Sequence, residues 1–269
     1  MTNSELRQSS KEKVHGKAGK VIGRYLIYML ISFAISFLLG IISGSINIGI
    51  INFILQIAVS IIELGFSYGL IISVLKIYRN ESTSLTEFIP LGFNYLGRYI
   101  KLQLSLIVKL LIPIFIVLFG YVLILLAIFM KSSGGLFFTL IGLVLIIFGY
   151  VKLLLKTYLF VLSDFLRYDN PEATSKEVLN KSAELMKGKR FQYFCLSLSI
   201  IAPVILIGLA LVIIGSFTNV ILLPILGALV LTIGYFVKIP HLIFAMINFY
   251  EDTANIATSP VVDVQSEIM

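Results

Sequence analysis

Long runs of apolar residues, separated by short polar segments, dominate the chain. A helix that crosses a membrane needs about 20 mainly apolar residues, because the hydrocarbon layer is about 30 Å thick and each helical residue rises about 1.5 Å. Six runs meet this requirement, and they predict an all-α membrane bundle of six spans between residues 21 and 250. The predicted spans are residues 21–43, 48–75, 100–128, 136–163, 192–215 and 222–248.

Three polar segments flank these spans: a basic amphipathic segment over 1–20, a segment over 164–191 and an acidic tail over 251–269 that we expect to be flexible. Within the second segment, the pattern predicts an amphipathic helix over 170–188 lying at the membrane surface. Asn170 can cap this helix, Pro171 suits its first turn and Gly188 can end it. Lys181 and Lys187 can reach lipid phosphates. The helix is either a lipid-binding element or a structural elbow that orients the fifth span.

Composition supports a membrane protein. Of the 269 residues, 58% are hydrophobic and only 13% are charged, whereas soluble domains carry about 25% charged residues. The mean hydropathy is +1.01. An ordinary soluble globular protein is therefore excluded, and the one cysteine excludes a disulfide framework and a cysteine-ligated zinc site.

The position of the positive charges predicts the orientation in the membrane. Sixteen Lys and Arg residues lie in the amino-terminal flank and in the connections after the second and fourth spans. The opposite side holds only Lys131. Connections rich in Lys and Arg stay in the cytoplasm, so we expect a multi-pass protein of the cell membrane with both termini cytoplasmic.

A short internal echo links the first and second polar segments. Residues 10–17 and 182–189 both fit the pattern S-x-E-x-x-x-G-K, and each precedes a predicted span. The echo is either a chance match or a trace of duplication, in which spans one and two would be equivalent to spans five and six.

Several short motifs resemble a known family. They are Asp169-Asn170-Pro171, Ser182, Leu185-Met186-Lys187-Gly188, Phe194-Cys195-Leu196 and Phe249-Tyr250-Glu251-Asp252. Together with Gly16-Lys17 and Gly65/Gly69, these residues are similar to the signature of the bacterial integral membrane family called domain of unknown function 975. The resemblance implies a multi-pass membrane protein without an established activity, and it implies no catalytic residues.

Ionisable side chains inside the spans are the candidate functional residues, because charges within a membrane are costly and usually serve a function. The candidates are Glu63, Lys109, Lys152, Lys156, Lys238 and His241. We hypothesise that they line a cationic cavity open to the cytoplasm, in which Glu63 pairs with Lys109 or Lys152. The alternative is one Glu–Lys pair that fixes helix register, while the other lysines reach the surface along their flexible stems. His241, which follows Pro240, is either a proton relay or a packed side chain.

Glycines predict close helix contacts. Gly40/Gly44 and Gly65/Gly69 are G-x-x-x-G pairs, which permit two helices to approach closely. We expect these pairs to pack spans one and two against each other.

Motifs for catalysis, phosphate loops and cofactor binding are not found in the sequence. We therefore expect a non-enzymatic protein without a cofactor that binds or helps to move an amphiphile, either a lipid or a hydrophobic peptide. Its role would be that of a transport accessory or of a self-protection (immunity) protein. Anionic lipid headgroups are the expected partners, and nucleic acid is not. The alternative is a structural or assembly subunit that contacts another membrane protein.

Overall fold

The structure is a computed structural model that describes residues 1–45, 48–130, 133–218 and 222–254. Over these residues the chain forms nine α-helices. Three are short, namely α1 (Asn3–Val14), α6 (Ser163–Asp169) and α7 (Ser175–Leu185). The six long ones are α2 (Ala18–Ser45), α3 (Gly49–Tyr78), α4 (Phe88–Met130), α5 (Ser133–Thr157), α8 (Arg190–Thr218) and α9 (Leu222–Thr253).

The six long helices are each long and apolar enough to cross a membrane. Each of them overlaps one of the six predicted spans, so the prediction of an all-α, multi-pass fold is confirmed. Large apolar side chains cover their outer surfaces, as expected where lipid replaces water. In α2 none of the apolar span is buried within the chain.

The third and fourth spans differ from prediction in length. Helix α4 begins at Phe88, about three turns before the predicted start at residue 100. Phe88, Gly92, Tyr99 and Leu102 are buried, and their spacing places them on one stripe of a helix. Tertiary packing of this stripe extends the helix beyond the apolar run. Helix α5 ends at Thr157, six residues before the predicted end at residue 163.

The predicted start of the interfacial helix at Asn170 is wrong. Asn170 instead ends α6, where both its backbone N–H and its side-chain Nδ2 donate to the carbonyl oxygen of Leu166. Helix α7 starts four residues later, after Thr174. The Thr174 side chain accepts from the backbone N–H of Glu177, and the Glu177 carboxylate accepts from the N–H of Thr174. This reciprocal pair satisfies two free N–H groups, whereas Asn170 alone offers one acceptor.

The amphipathic character of α7 is as predicted. Val178, Leu179, Ser182 and Met186 are buried, while Lys181 and Lys187 are exposed. Pro171 lies in the turn that precedes α7, and not inside the helix. The helix ends at Leu185, and Gly188 follows in the turn with a φ of +78°.

The beginning of the predicted tail is helical. Helix α9 continues to Thr253, so Glu251 and Asp252 are helical residues with partners. Glu251 Oε1 lies 3.2 Å from Arg79 Nε, and Asp252 Oδ2 lies 3.2 Å from the amino group of Met1. Residues 255–269 lie outside the described part of the chain, as do residues 131 and 132 of the predicted turn.

The glycine prediction for spans one and two is wrong. A methyl group at Gly40 or Gly44 would meet no atom within 4 Å. A methyl group at Gly69 would instead overlap the carbonyl oxygen of Phe88, and one at Gly92 would overlap that of Gly65. These glycines therefore bring α3 against the start of α4, a contact that the apolar pattern alone did not reveal.

The chain divides into two compact units, Met1–Leu96 with Phe191–Met269 and Gly97–Arg190. In the first unit α1 packs on α9, and α3 contacts both α2 and α9. In the second unit α6 packs on α7. Close contacts at Gly120 and Gly142 join α4 to α5, because a methyl group at Gly142 would lie 2.7 Å from the carbonyl oxygen of Gly120.

Candidate functional site

A cavity of about 180 Å³ in the first unit is lined by two of the predicted residues, Lys238 and His241. Both come from α9. Helix α1 contributes Arg7, Ser10 and Lys11 to the same cavity. Side chains far apart in sequence thus meet where the short surface helix crosses a membrane-spanning helix.

Helix α1 is formed by local signals in the sequence. Thr2 and Glu5 form a reciprocal cap at its start, with Glu5 Oε2 2.8 Å from the backbone nitrogen of Thr2. These hydrogen bonds, first from the Thr2 backbone and then from its side chain, lower the pKa of the Glu5 carboxyl. The apolar side chains of Leu6 and Val14 are buried, so one face of the helix is fixed.

A polar network holds α1 on the bundle. Lys13 Nζ donates to the Tyr78 hydroxyl, and that hydroxyl donates to Asn248 Oδ1. Lys13 Nζ also lies 3.2 Å from Asn248 Oδ1. Asn248 Nδ2 in turn donates to the carbonyl oxygen of Leu6 at 3.3 Å. The network joins α1, α3 and α9, and it fixes the position from which Arg7 and Lys11 reach the cavity.

The remaining wall comes from α8 and contains Ser199, Ile200 and Pro203. Proline has no N–H, so Pro203 removes the helical hydrogen bond to the carbonyl of Ser199. Pro240, one position before His241, likewise removes one helical hydrogen bond from α9. The cavity therefore lies where the backbone ladders of two helices are both interrupted.

The cavity is strongly cationic. Arg7, Lys11 and Lys238 line it, and none of its lining residues in the described part of the chain is acidic. In the described part of the chain these three side chains make no ion pair. Arg7 and Lys11 are four residues apart on one helix, a spacing at which like charges repel by about 0.2–0.5 kcal/mol. An anion in the cavity would relieve this repulsion.

His241 adds a polar group beside the three cations. Its Nδ1 is buried, and the backbone of Val237, one turn earlier on α9, is a hydrogen-bond partner for the ring. Lys238 and Lys11 also lie near the ring. The cavity thus combines three cations with an imidazole, an arrangement suited to binding a small anionic group.

The predicted lysines of the second unit form a separate contact. Lys156 Nζ donates to the carbonyl oxygen of Lys109 at 3.0 Å. Lys109 Nζ lies 3.4 Å from Asn180 Oδ1 on α7 and 5.9 Å from the centre of the Phe160 ring. These contacts tie α4, α5 and α7 together.

Lys152 takes no part in that contact. It is exposed, and its Nζ lies 5.3 Å from the centre of the Phe148 ring, one turn earlier on the same helix. A cation near an aromatic face at an exposed site gains about 0.5–1 kcal/mol. The contact gives a structural reason for a lysine at this apolar position.

Glu63 is half-buried on α3, and within its own unit it forms no ion pair among the described residues. It belongs to the first compact unit, whereas Lys109 and Lys152 belong to the second. The pairing of Glu63 with either lysine therefore stays a prediction.

Sequence reasoning missed Arg7, Lys11 and Ser199 as site residues. The two cations were counted only as signals of membrane orientation. Their spacing of four residues on a capped amphipathic helix was the available signal. The described residues hold no group of three or more His, Cys, Asp or Glu side chains that could bind a metal ion.

Comparisons with known proteins identify a family without an assigned activity. A family model described as "Protein of unknown function (DUF975)" matches residues 1–256. No curated protein matches the chain, and no solved structure matches it. Because the match covers nearly the whole chain, this multi-pass helical protein belongs to the DUF975 family.

Proposed function

We propose that this protein is a non-enzymatic component of the cell membrane that binds, or helps to move, an amphiphile with an anionic headgroup. The observation that carries the proposal is the cavity of about 180 Å³ that Arg7, Lys11 and Lys238 line, with no acidic side chain among the described residues around it. An anionic lipid and a hydrophobic peptide with a free carboxylate both have the required chemistry. Nucleic acid is not a proposed partner.

The surfaces around the cavity suit the apolar part of an amphiphile. Leu206 and Ile207 follow Pro203 on α8, and their side chains are 67% and 56% exposed. Such side chains face lipid in a membrane-spanning helix. An amphiphile with its headgroup in the cavity would therefore keep its apolar part beside this apolar surface. The apolar part would not have to cross a water-filled space.

Orientation is part of the proposal. The positive charges support a cytoplasmic position for both termini, α1 and α7, where anionic lipids also attract basic segments. The test uses Cys195→Ala protein with one new cysteine at Lys181, or at Ser133 on the opposite side, and a thiol reagent that cannot cross membranes. We expect labelling of intact cells at position 133 only. Labelling at position 181 would refute the proposed orientation.

Lipid retention tests the binding proposal. The protein is placed in nanodiscs with equal amounts of phosphatidylglycerol and phosphatidylcholine, and retained lipid is measured by native mass spectrometry. We expect enrichment of phosphatidylglycerol that is lost in Lys11→Gln/Lys238→Gln. The matched control is Lys181→Gln/Lys187→Gln, which removes two exposed lysines of α7.

Each outcome of the retention experiment has a clear meaning. Equal retention of both lipids by the unaltered protein would refute lipid binding. Equal loss in the control would show that total charge, and not the cavity, attracts the lipid. Competition by a hydrophobic peptide with a free carboxylate, and not by its amidated form, would support the peptide as the amphiphile.

A structural or assembly role is the second candidate. Helix α2 buries none of its apolar span within the chain, and a methyl group added at Gly40 or Gly44 would meet no atom within 4 Å among the described residues. A second membrane helix could approach closely there. This candidate predicts that Gly40→Ile/Gly44→Ile abolishes an oligomer or complex seen in nanodiscs. If the protein is monomeric before and after the change, the candidate fails.

A further inference from the structure

Two short helices, 172 residues apart, begin in the same way. Thr2 and Glu5 cap α1, and Thr174 and Glu177 cap α7, with the same reciprocal hydrogen bonds. The two carboxylate-to-backbone contacts measure 2.8 and 2.7 Å. In both helices the hydrogen bonds to the capping threonine lower the pKa of the glutamate.

The two helices also end in the same way. Gly16 and Gly188, again 172 residues apart, have φ angles of +77° and +78°. A positive φ favours glycine, because other side chains are strained there. Three of the buried positions match as well, whereas the buried Leu179 corresponds to the exposed Arg7. These equivalent buried residues are Leu6 and Val178, Ser10 and Ser182, and Val14 and Met186.

The similarity continues through the membrane hairpins that follow. With the same offset, the starts of α2 and α8 coincide, and the starts of α3 and α9 differ by one residue. The last turns of α3 and α9 bury residues at equivalent positions. These pairs are Ile72 and Phe244, Ser73 and Ala245, Leu75 and Ile247, Ile77 and Phe249, and Tyr78 and Tyr250. The four-position echo in the sequence thus extends over two helical hairpins.

The cavity has an equivalent place in the first hairpin, and that place is filled. The positions of Ser199, Ile200 and Pro203 correspond to Ile27, Tyr28 and Ile31. Lys238 corresponds to Phe66. These first-hairpin residues form an apolar cluster with Phe88, which is fully buried at the start of α4. One hairpin therefore has a closed apolar core where the other has an open cationic cavity.

The three cations that line the cavity have no cationic counterparts at the equivalent positions. Arg7 and Lys11 of α1 correspond to Leu179 and Ala183 of α7. Three cations thus stand where the equivalent positions hold Leu, Ala and Phe. In the first copy, apolar residues fill the place that is equivalent to the cavity. The fold therefore does not require the cationic lining found in the second copy.

We propose that the protein contains two copies of one unit, a capped surface helix followed by a membrane hairpin, and that the second hairpin's cavity binds a phosphate group. This inference rests on the proposed function, since it names the anionic group. At about 180 Å³ the cavity holds the volume of roughly six water molecules. Pockets that enclose a whole ligand are about 300–1,000 Å³, so a headgroup fits and acyl chains do not.

The test converts the cavity into its filled counterpart. Lys238→Phe introduces the residue found at the equivalent position, and Arg7→Leu/Lys11→Ala does the same on the exposed side of α1. Binding of phosphatidylglycerol in nanodiscs is measured against phosphatidylcholine, and inorganic phosphate is added as a competitor. We expect each variant to lose about tenfold or more in phosphatidylglycerol affinity, since a hydrogen bond to a charged group is removed. Lys238→Arg should bind as before.

The equivalence of the two hairpins also predicts how Lys238→Phe affects thermal stability. Because phenylalanine fills the equivalent site, Lys238→Phe should leave the thermal midpoint unchanged or raise it. A lower midpoint for Lys238→Phe, with Lys238→Arg unaffected, would overturn the equivalence of the two sites. Unchanged lipid affinity in Arg7→Leu/Lys11→Ala, whose changes lie at exposed positions, would overturn the phosphate site.

The same experiments identify the source of the phosphate, and they separate a failure of the proposed function from a failure of this inference. Competition by millimolar inorganic phosphate would assign the site to free phosphate, and its absence would assign it to the lipid headgroup. If the unaltered protein binds neither, the proposed function fails. If it binds phosphatidylglycerol and Lys238→Phe binds it equally well, only the inference of a phosphate site in this cavity fails.

Discussion

Arg79 and Glu251 form an ion pair in which Arg79 Nε lies 3.2 Å from Glu251 Oε1. They are 172 residues apart, so they occupy equivalent positions at the carboxyl ends of α3 and α9. The side chains are only 23% and 14% exposed. The two hairpins are thus joined through the same position in each, with opposite charges.

Arg79→Ala should lower the free energy of unfolding by about 1–3 kcal/mol, because it leaves Glu251 partly buried without this partner. Thermal unfolding in detergent measures the effect. Arg98→Ala is the matched control, since the Arg98–Glu172 pair has the same 3.2 Å separation but exposures of 48% and 88%. That exposed pair should contribute less than about 1 kcal/mol. Equal losses in both variants would contradict the prediction.

Gly92→Ala should destabilise the protein by about 1–3 kcal/mol or prevent its accumulation, because the added methyl group overlaps the carbonyl oxygen of Gly65. Yield and thermal midpoint in detergent report the change. Gly40→Ala is the control, since a methyl group there meets no atom within 4 Å. A well-folded Gly92→Ala protein with an unchanged midpoint would show that α3 and α4 do not approach so closely.

Tyr78→Phe should loosen α1 without unfolding the bundle. The change removes the hydroxyl that accepts from Lys13 and donates to Asn248, at a cost of about 1–2 kcal/mol. Limited digestion with trypsin, which cleaves after Arg7 and Lys11, measures release of the helix. We expect cleavage to become several-fold faster. The control Tyr28→Phe, in the apolar cluster, should leave the rate unchanged.

Asp164 should make stability depend on pH. Burial raises the pKa of this carboxyl from 3.8 to about 7, so the folded protein binds the proton more tightly than the unfolded chain does. The free energy of unfolding therefore falls as pH rises from about 4 to about 7, and this contribution is level above that range. Melting curves between pH 5 and 8 measure the slope.

Asp164→Asn should remove most of that slope and raise the midpoint at pH 8, because the amide carries no charge to bury. Glu172→Gln, at an exposed carboxyl, should retain the slope. If Asp164→Asn shows the same dependence on pH as the unaltered protein, the titrating group lies elsewhere.

The long helices could be predicted from the sequence because lipid imposes one simple rule. An apolar run of sufficient length must satisfy its own backbone, and a helix does so. The start of α4 at Phe88 could not be predicted in this way. That segment is helical because Gly65 and Gly69 let it pack closely on α3, and such a contact depends on residues about 25 positions away.

The start of α7 shows a different limit. Asn170 followed by Pro171 and Glu172 is a good helix start when considered locally. Thr174 with Glu177 is a better one, because it satisfies two N–H groups. Asn170 also has an alternative acceptor in the Leu166 carbonyl of the preceding helix, which only the end of α6 makes available.

The candidate site was predicted in part. Lys238 and His241 were identifiable because polar groups in a membrane-spanning helix need a partner or a function. Arg7 and Lys11 were not, because their meeting with α9 depends on the network through Lys13 and Asn248. Nothing in the local pattern of α1 fixes which spanning helix it contacts.

The contribution of α1 to the cavity wall has a practical consequence for purification. A bulky affinity tag fused ahead of Thr2 would crowd the capped helix that carries Arg7 and Lys11. The same fusion would replace the free amino group of Met1 that pairs with Asp252, so binding measured at the proposed cavity should differ between the tagged protein and the protein with its tag removed.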